Sequence, residues 1–546
     1  MGWKQHRRQS QLPSLHEHHQ GGRAHPGSGS FGRRYVRRLP QSCGGLNAVT
    51  SLNTVQQALQ NRGPEALLLD EDGPSFSGQD VLARAKGVTA FLTAHGIAPG
   101  APVAFALRNG ADTASLIIAL MSAGYVAVAI NLQAGDRAIE HALKHSEAQA
   151  VIVQDSTVSI VKKLSKAPCF HRDTVLDQSG DTAPVALAPV RGEDIALLMY
   201  TSGTTGLPKG VQLSHRAMVA GGRNTALAHQ LTESDCALCV LPLYHINGLC
   251  VTLMAPLVSG GSVFLPPKFS VGAFWHQIRD RACTWFSVVP TQISYLLHHP
   301  EPAEPVPSLR FGRSASAPLS PDVQRAFEQR FDVVIIETMG MTETAAQLLA
   351  NPLPPGVRKV GSPGQAVGNE VMIADDSQRE VERGVEGEVL IRGDNLMSGY
   401  LKNQEATAQA MTDQGWLRSG DLGRMDEDGY VFITGRLKEL IIKGGENIAP
   451  REIDEALYSN PAVIEAAAFA VPCEQYGERV EAAVVLKRNA ASDEDELLAL
   501  CQRTVGLFKA PSRIYVMDEL PKGPSGKIQR LKLQEIVAAG GQSKAS

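Results

Sequence analysis

The sequence has no excess of charge of one sign. Its 546 residues contain 52 lysines and arginines against 56 aspartates and glutamates, which leaves a formal net charge of −4. Nucleic-acid binding requires a basic surface, so a nucleic-acid partner is not expected. Apolar residues make up 43% and charged residues 20% of the chain, the usual balance of a globular protein.

Cysteines with the spacing of a metal site are almost absent. Of eight cysteines, only Cys236 and Cys239 form a Cys-x-x-Cys pair, and no second pair or nearby His-x-x-x-His sequence accompanies them. A zinc site needs four such ligands. We therefore expect no structural zinc, and reduced thiols in a cytoplasmic protein.

No apolar run is long enough to predict a membrane span. The most apolar stretch covers residues 114–132 without a charge, but Gly124 interrupts it and residues 125–130 have the composition of a strand. A buried helix, a turn and a buried strand account for this stretch. No transmembrane segment is predicted.

Residues 1–47 contain too little apolar surface to form a core. They carry Lys4 and seven arginines against one acid, Glu17. Such a segment cannot offset its ordering entropy, so we expect a disordered basic extension that is dispensable. It lacks the apolar region of a secretory signal. Whether it belongs to the mature protein or has a targeting role is left open.

The remaining chain is too long for one core and reads as an α/β protein. Strand-like runs such as residues 102–107 and 150–153 alternate with helical patterns, which predicts βαβ units. Near residues 387–392 the strands shorten and a small β-barrel-like subdomain is expected. After Gly435 the pattern becomes that of a compact α+β domain. The predicted boundaries are 48–435 for a large N-terminal domain and 436–546 for the small one.

The strongest local signal is a phosphate-binding loop in residues 198–210. An apolar strand runs directly into three glycines, four hydroxyl side chains and Lys209. Glycines let backbone N–H groups approach an anion, and hydroxyls and lysine add donors and charge. The loop is not a Walker P-loop, because Lys209 is followed by glycine.

This loop resembles the phosphate-binding signature of the acyl-adenylate-forming (AMP-binding) superfamily. Further motifs of that superfamily follow in the same order, at residues 340–343, 419–421, 435–450 and 524–530. The resemblance covers nearly all of residues 48–535. It is closest to the acyl-CoA synthetase branch, and within it to oxalate–CoA ligase-like and 4-coumarate–CoA ligase-like enzymes.

The resemblance implies an AMP-forming acid–CoA ligase that uses ATP, Mg²⁺ and CoA. A carboxylate that attacks the α-phosphorus needs the surrounding negative charge neutralised. By resemblance, Lys527 contacts the carboxylate and α-phosphate, Glu343 and Thr204 bind Mg²⁺ and act in catalysis, and Asp421 and Arg436 bind the ribose. The other expected nucleotide contacts are Thr201, Ser202, Gly203, Thr205, Gly206, Lys209, Ser316, Ala317, Pro318, Thr338, Met339, Gly340, Thr342 and Asn447.

The resemblance also implies a second half-reaction with CoA. His245 is similar to a catalytic histidine that gates the path between acyl pocket and pantetheine channel, and Lys268 to a lysine that meets a CoA phosphate. Lys443, Gly444 and Gly445 would border the pantetheine arm. Lys438 would be the hinge about which the small domain moves as a lid.

Two departures from the family pattern affect the expected ligands. Met339 stands where an aromatic residue usually stacks on adenine, and a thioether can pack there instead. The oxalate–CoA ligase-like group commonly has a second histidine where Asn247 stands, and another near Ala346. The substrate is therefore left open among a monocarboxylate, an aryl acid and a small dicarboxylate.

Three alternative functions share these motifs. The acyl group could be delivered to a carrier protein, the chain could bind nucleotide without catalysis, or the adenylate could enter luciferase-like oxygenation. Retention of Lys527, Glu343 and Asp421 together argues against a non-catalytic protein. The CoA-like residues favour the free thiol. A monomer or homodimer is expected.

Overall fold

A computed structural model describes residues 52–177, 186–201, 207–299, 305–488, 490, 492–523 and 526–538. The extension predicted for residues 1–47 lies outside the described residues, as do positions 202–206 of the predicted phosphate loop. Within the described part of the chain, no helix has both the length and the apolar character that crossing a membrane requires.

The helices and strands account for most of the described chain. The strands of the first two sheets up to residue 366 are β1 (Ala66–Leu69), β2 (Phe76–Ser77), β3 (Pro102–Ala106), β4 (Val126–Ala129), β5 (Ala150–Val153), β6 (Cys169–His171), β7 (Ile195–Thr201), β8 (Lys209–Ser214), β9 (Cys236–Cys239), β10 (Ser262–Phe264), β11 (Trp285–Val288), β12 (Phe311–Ser314), β13 (Ile335–Met341), β14 (Ala346–Ala350) and β15 (Gln365–Ala366). The later strands are β16 (Glu370–Ala374), β17 (Gly387–Arg392), β18 (Gly399–Tyr400), β19 (Leu417–Met425), β20 (Val431–Arg436), β21 (Ile441–Lys443), β22 (Glu446–Ile448), β23 (Val463–Cys473), β24 (Gly477–Leu486) and β25 (Ile514–Val516).

The α-helices alternate with these strands along most of the chain. They are α1 (Val55–Gln60), α2 (Gly78–Ala94), α3 (Ala111–Ser122), α4 (Asp136–His145), α5 (Asp155–Leu164), α6 (Arg172–Leu176), α7 (His215–His229), α8 (Ala255–Ser259), α9 (Val271–Asp280), α10 (Pro290–His298), α11 (Pro321–Phe331), α12 (Gln404–Ala410), α13 (Pro450–Tyr458), α14 (Glu494–Lys509) and α15 (Arg530–Ala538). A π-helix (Asn247–Met254) and two 3₁₀ helices (Thr342–Thr344 and Leu437–Glu439) complete the set among the described residues.

Two largely parallel sheets form the large N-terminal domain. One has nine strands in the order β15-β14-β13-β12-β11-β9-β10-β1-β2, and the other has seven in the order β18-β8-β7-β4-β3-β5-β6. Strands such as β5 are buried along their whole length, because parallel strands are covered by helices on both faces. The predicted βαβ organisation is confirmed.

One hydrophobic core joins the two large sheets. It contains inward-facing residues of both sheets, such as Phe105 and Trp285, together with residues of α2, α3, α7 and the π-helix. The outer face of the nine-stranded sheet packs on α9, α10 and α11, and the outer face of the seven-stranded sheet on α4 and α5. The apolar stretch at 114–132 contributes α3 and β4, as predicted.

Two small sheets follow. The four-stranded antiparallel sheet β16-β17-β19-β20 is the small β-rich part of the predicted fold. The small C-terminal domain has β22-β21-β24-β23 with β25 beside β24, and α13 and α14 pack on it in a core of their own. The α/β fold class with a small α+β domain is confirmed, and the 3₁₀ helix Leu437–Glu439 connects β20 to β21.

Candidate active site

A cavity of about 230 Å³ lies between the large and the small domain. One wall is formed by the segments that follow the carboxyl ends of parallel strands β11 and β12 and by the carboxyl-terminal part of β13, as is general for ligand sites in α/β sheets. Residues from β19, β20 and the segment after residue 525 form the other. The sequence-predicted residues that line it are Ser316, Ala317, Pro318, Thr338, Met339, Gly340, Asp421, Arg436 and Lys527.

The wall after β12 is shaped by backbone constraints. Ser316 has a positive φ of 75°, and the backbone N–H of Leu319 donates to Glu337 Oε1 at 3.1 Å. A Cβ atom at Gly340 would stand 1.8 Å from the carbonyl oxygen of Ala346, so only glycine fits there. Burial raises the pKa of Glu337. Glu337 holds the 316–319 loop, and no sequence motif marks it as a site residue.

Asp421 and Arg436 form a charged pair at the cavity. They are direct partners in the antiparallel β19–β20 ladder, and Arg436 Nε donates to Asp421 Oδ1 at 2.8 Å. Burial raises the pKa of Asp421, and the charge of Arg436 opposes that rise. The cross-strand register brings together two residues that lie fifteen positions apart in the sequence.

Lys527 enters the cavity from the small domain. Its Nζ lies 3.6 Å from Glu439 Oε1, and 40% of the Lys527 side chain is exposed. Arg530 Nε lies 3.4 Å from the other oxygen of Glu439. Desolvation between the walls lowers the pKa of Lys527. Glu439 thus fixes the lysine in the cleft, and its only sequence signal was its position inside the 435–450 motif.

Glu343 belongs to a neighbouring cluster. The hydroxyl of Tyr400 donates to Glu343 Oε1 at 2.9 Å, and Lys209 Nζ lies 4.6 Å from the centre of the Tyr400 ring. Lys209 is paired across β7 and β8 with Thr201, and Thr342 directly precedes Glu343 in the 3₁₀ helix. Burial raises the pKa of Tyr400, so it stays a donor. No sequence motif marks Tyr400 as a site residue.

The described residues of this cluster supply only part of the ligand set of a magnesium ion. Across the described ranges, no three His, Cys, Asp or Glu side chains cluster as a complete metal site. Mg²⁺ commonly takes one or two carboxylates and completes its shell with water and phosphate oxygens. Glu343 fits that pattern as a single carboxylate ligand. Thr204, the other predicted ligand, lies outside the described residues.

His245 lies two residues before the first residue of the π-helix. Burial lowers the pKa of His245 to about 4, so the ring is neutral at physiological pH. It is not among the residues that line the cavity. Two positions later, Asn247 Nδ2 donates to Ser316 Oγ at 3.3 Å. His245 therefore lies next to a residue that contacts the cavity wall.

The other predicted CoA residues are not brought into the cavity. Lys268 is exposed in the loop after β10. Lys443 lies beside the rings of Phe508 (4.8 Å) and Tyr476 (5.8 Å) in the small domain. Gly444, Gly445 and Asn447 are exposed on the β21–β22 hairpin, and Lys438 is exposed in the 3₁₀ helix. In this arrangement Lys527 faces the cavity and the glycine hairpin does not.

Comparison with known proteins identifies the family. The AMP-binding enzyme model matches residues 55–401, and the model of the AMP-binding enzyme C-terminal domain matches residues 452–527. The sulfoacetate–CoA ligase of Cupriavidus necator is 46% identical over 451 residues, which cover 81% of this chain and 88% of that protein. The oxalate–CoA ligase of Arabidopsis thaliana is 35% identical over 453 residues, 80% and 88% of the two chains.

Solved structures agree with this result. ATP-bound MatB from Rhodopseudomonas palustris superimposes with a TM-score of 0.81 at 29% identity, covering 88% of this chain and 98% of MatB. The o-succinylbenzoate CoA synthetase of Bacillus subtilis with its acyl-adenylate gives 0.79 at 28% identity, with 88% and 98% coverage. The chain belongs to the AMP-binding enzyme family, and it is an AMP-forming acid–CoA ligase that uses ATP and CoA.

Proposed function

We propose that the cavity is where the acyl-adenylate forms and that Lys527 stabilises the charge that develops at the α-phosphorus. The observation that carries this proposal is that Lys527 lines the same cavity as Asp421, Arg436 and the 338–340 segment. A fixed ammonium in a partly dry site stabilises a phosphoryl transition state strongly. Asp421 accepts from the ribose hydroxyls, and Arg436 orients Asp421 and reaches the phosphate.

Glu343 and Thr204 would hold a magnesium ion, together with phosphate oxygens of the nucleotide. When bound, the ion neutralises phosphate charge. The hydrogen bond from Tyr400 leaves the second oxygen of Glu343 available as a ligand. The phosphate loop contributes Thr201, Thr205 and Lys209, and Lys209 is oriented by the Tyr400 ring.

Thioester formation requires the small domain to turn. Residues 436–546 act as a lid on the domain 48–435, with Lys438 as the hinge. The turn would bring Lys443, Gly444 and Gly445 to the pantetheine path, where neutral His245 is the gate and Lys268 meets CoA phosphate. Support comes from the exposure of the glycine hairpin while Lys527 occupies the cavity.

The substrate is a small carboxylic acid with a second anionic group. Relatives named for sulfoacetate, oxalate and 2-succinylbenzoate are 46%, 35–40% and 33% identical to this chain. Each of those acids carries an acidic group besides the carboxylate that is activated. A relative named for feruloyl-CoA is 32% identical. Among these relatives the higher identities, 46% and 35–40%, belong to those named for small acids without an aromatic ring, which favours a small dianion over an aryl acid.

A screen of acids with the purified protein tests the proposal. ATP, Mg²⁺, CoA and one acid at a time are supplied, and AMP, pyrophosphate and CoA thioester are measured. We expect thioester with small dianionic acids and no activity without Mg²⁺. AMP release without thioester would favour a carrier-protein acceptor. We also propose a cytoplasmic monomer or homodimer; the unpaired cysteines of the described chain support the compartment.

A further inference from the structure

Arg313 is a fully buried charge at the centre of the nine-stranded sheet. It lies on β12, and its exposed fraction is 1%. Its Nη1 donates to Asn247 Oδ1 at 3.0 Å and to Ser287 Oγ at 2.9 Å. Its Nε and Nη2 donate to Gln347 Oε1 at 3.3 and 3.1 Å. A guanidinium has five N–H donors, so one of them has no acceptor in the described structure.

No carboxylate compensates this charge. Within the ranges that the structure describes, Arg313 takes part in no ion pair, and its three hydrogen-bond partners are neutral. Arg310, three positions earlier, is paired with Asp235. Burial lowers the pKa of Arg313 to about 9, which leaves it charged at neutral pH. Buried charges are normally paired, because desolvation is costly.

The polar partners of Arg313 are uncharged. Gln347, which accepts from Arg313, also interacts with the buried ring of His229. Burial lowers the pKa of His229, so its ring is neutral. These partners satisfy most of the Arg313 donors but leave its charge without compensation, which favours an anionic ligand nearby.

Asn247 connects this charge to the cavity. Its Oδ1 accepts from Arg313 and from Ser287, at 3.0 and 2.9 Å. Because both contacts come from donors, they fix the amide orientation and turn the NH₂ group toward Ser316, at 3.3 Å from Ser316 Oγ. Ser316 lines the cavity. A positively polarised NH₂ group therefore faces the cavity wall, with the guanidinium directly behind it.

We infer that Arg313 and Asn247 recognise the second anionic group of the substrate, a sulfonate or a carboxylate. Asn247 supplies the contacting amide, and Arg313 supplies the charge and sets specificity. The inference rests on the proposed function, since it concerns the acyl end of the same site. A purely structural role is disfavoured, because an apolar side chain of similar volume would fill the space without the desolvation cost.

Two isosteric acids test the inference. Sulfoacetate and 3,3-dimethylbutyrate have nearly the same shape, and only the first has a second charge. We expect Arg313→Gln to lower kcat/KM for sulfoacetate about a hundredfold, the effect of one charge a few ångströms away in a medium of effective dielectric about 20. For 3,3-dimethylbutyrate the change should stay below about threefold.

Two further variants serve as controls. Arg313→Lys should recover part of the sulfoacetate rate. Arg325→Gln, which removes an exposed arginine of α11, should leave kcat/KM unchanged for both acids.

A binding measurement without ATP or CoA separates this inference from the proposed function. Sulfoacetate should raise the Tm of the unmodified protein more than 3,3-dimethylbutyrate does, and Arg313→Gln should remove that difference. Equal losses for both acids, or an unmodified protein with no preference for the dianion in either assay, would overturn the inference. Absence of CoA thioester with every acid, together with an intact Tm difference, would refute only the proposed function.

Discussion

Lys527 is the side chain whose loss should separate the two half-reactions. It reaches the cavity from the small domain and is held by Glu439 at 3.6 Å. Lys527→Ala should lower adenylation about 10²–10³-fold, because a preorganised charge at the transition state is lost. Thioester formation from a supplied acyl-adenylate should be largely spared. Acid-dependent pyrophosphate exchange at the unmodified rate would show that Lys527 has another role; Lys532→Ala, an exposed lysine of α15, is the control.

His215 should make stability depend on pH. Its Nδ1 accepts from the backbone N–H of Val55 at 3.3 Å, and burial lowers its pKa to about 4. Below pH 6.5, this histidine therefore binds a proton in the unfolded chain. In the folded protein the ring stays neutral down to about pH 4. The contribution of this histidine to the free energy of unfolding is fully present above pH 6.5, and on the order of 2 kcal/mol of it is lost between pH 6.5 and 5.

The variant His215→Gln keeps an acceptor and removes the titration. The Tm difference between unmodified protein and variant should therefore shrink when the pH falls from 7 to 5. A constant difference for His215→Gln would contradict the neutral, buried state of that ring.

Single residues were predictable where a motif surrounded them and not where pairing across the fold defined them. Asp421, Arg436 and Lys527 stand in contiguous motifs, and all three line the cavity. Arg313, Tyr400 and Glu337 acquire their environment from distant segments, up to 191 positions away in the Lys209–Tyr400 contact. A sequence pattern gives the type of a side chain, but burial without a counter-charge is a property of the assembled core.

Among the elements, the spacing of apolar residues predicted strands and α-helices, but it did not predict the π-helix. The predicted strands at 102–107 and 150–153 correspond to β3 and β5. Residues Asn247–Met254 form a π-helix, a form that is rare and concentrated at functional sites. A Cβ atom at Gly248 would stand 2.4 Å from the carbonyl oxygen of Pro242, so this close approach requires glycine. The spacing of apolar residues does not reveal such a local widening of a helix.

Helix α10 and strand β23 hold the small domain in its present orientation. The hydroxyl of Tyr295 donates to Glu465 Oε1 at 2.9 Å, and Lys522 Nζ lies 2.9 Å from the other oxygen of this buried carboxylate. Ser294 Oγ donates to the backbone oxygen of Ile464 at 2.9 Å. The contacts made by Tyr295 and Ser294 must break if the small domain turns, whereas the Lys522–Glu465 contact lies within that domain.

Tyr295→Phe should therefore accelerate thioester formation. A hydrogen bond to a charged group contributes about 1.5–3 kcal/mol, so its loss should speed a single turnover of preformed acyl-adenylate with CoA by about tenfold or more. Tyr515→Phe is the matched control, since the hydroxyl of Tyr515 donates to Glu481 at 2.9 Å within the small domain. An unchanged rate in Tyr295→Phe would mean that this contact does not limit the turn.

At the scale of the whole molecule, the sequence predicts parallel sheets covered by helices but not the order of the strands within each sheet. Alternating apolar runs indicate parallel sheets, because crossover helices cover both faces. The order of the nine-stranded sheet, with β1 beside β10 and β9 beside β11, depends on contacts between distant segments. The site lies where these segments meet, which is why motifs scattered from residue 316 to residue 527 converge on one cavity.

Lys527 lines the cavity in this structure, and the glycine hairpin does not. Gly444 and Gly445 have φ values of 60° and 87° and lie on the exposed β21–β22 hairpin, away from the cavity that Lys527 enters. A turn about the 3₁₀ helix Leu437–Glu439 would exchange them, since hinge motions are absorbed by a few backbone dihedrals. We expect Lys438→Pro to fix φ and hinder the turn, and Gly445→Leu to obstruct the CoA path.

Both variants should keep acid-dependent pyrophosphate exchange and lose most CoA thioester production. A Cβ atom at Gly445 would meet nothing within 4 Å in the present arrangement, so a clash would arise only after the turn. Gly415→Leu is the matched control, because Gly415 has a similar φ of 77° and equally open surroundings. It imposes the same backbone strain in the large domain and should leave both half-reactions intact. Equal losses of both half-reactions in Gly445→Leu would indicate misfolding, and undiminished thioester synthesis would remove the hairpin from the CoA path.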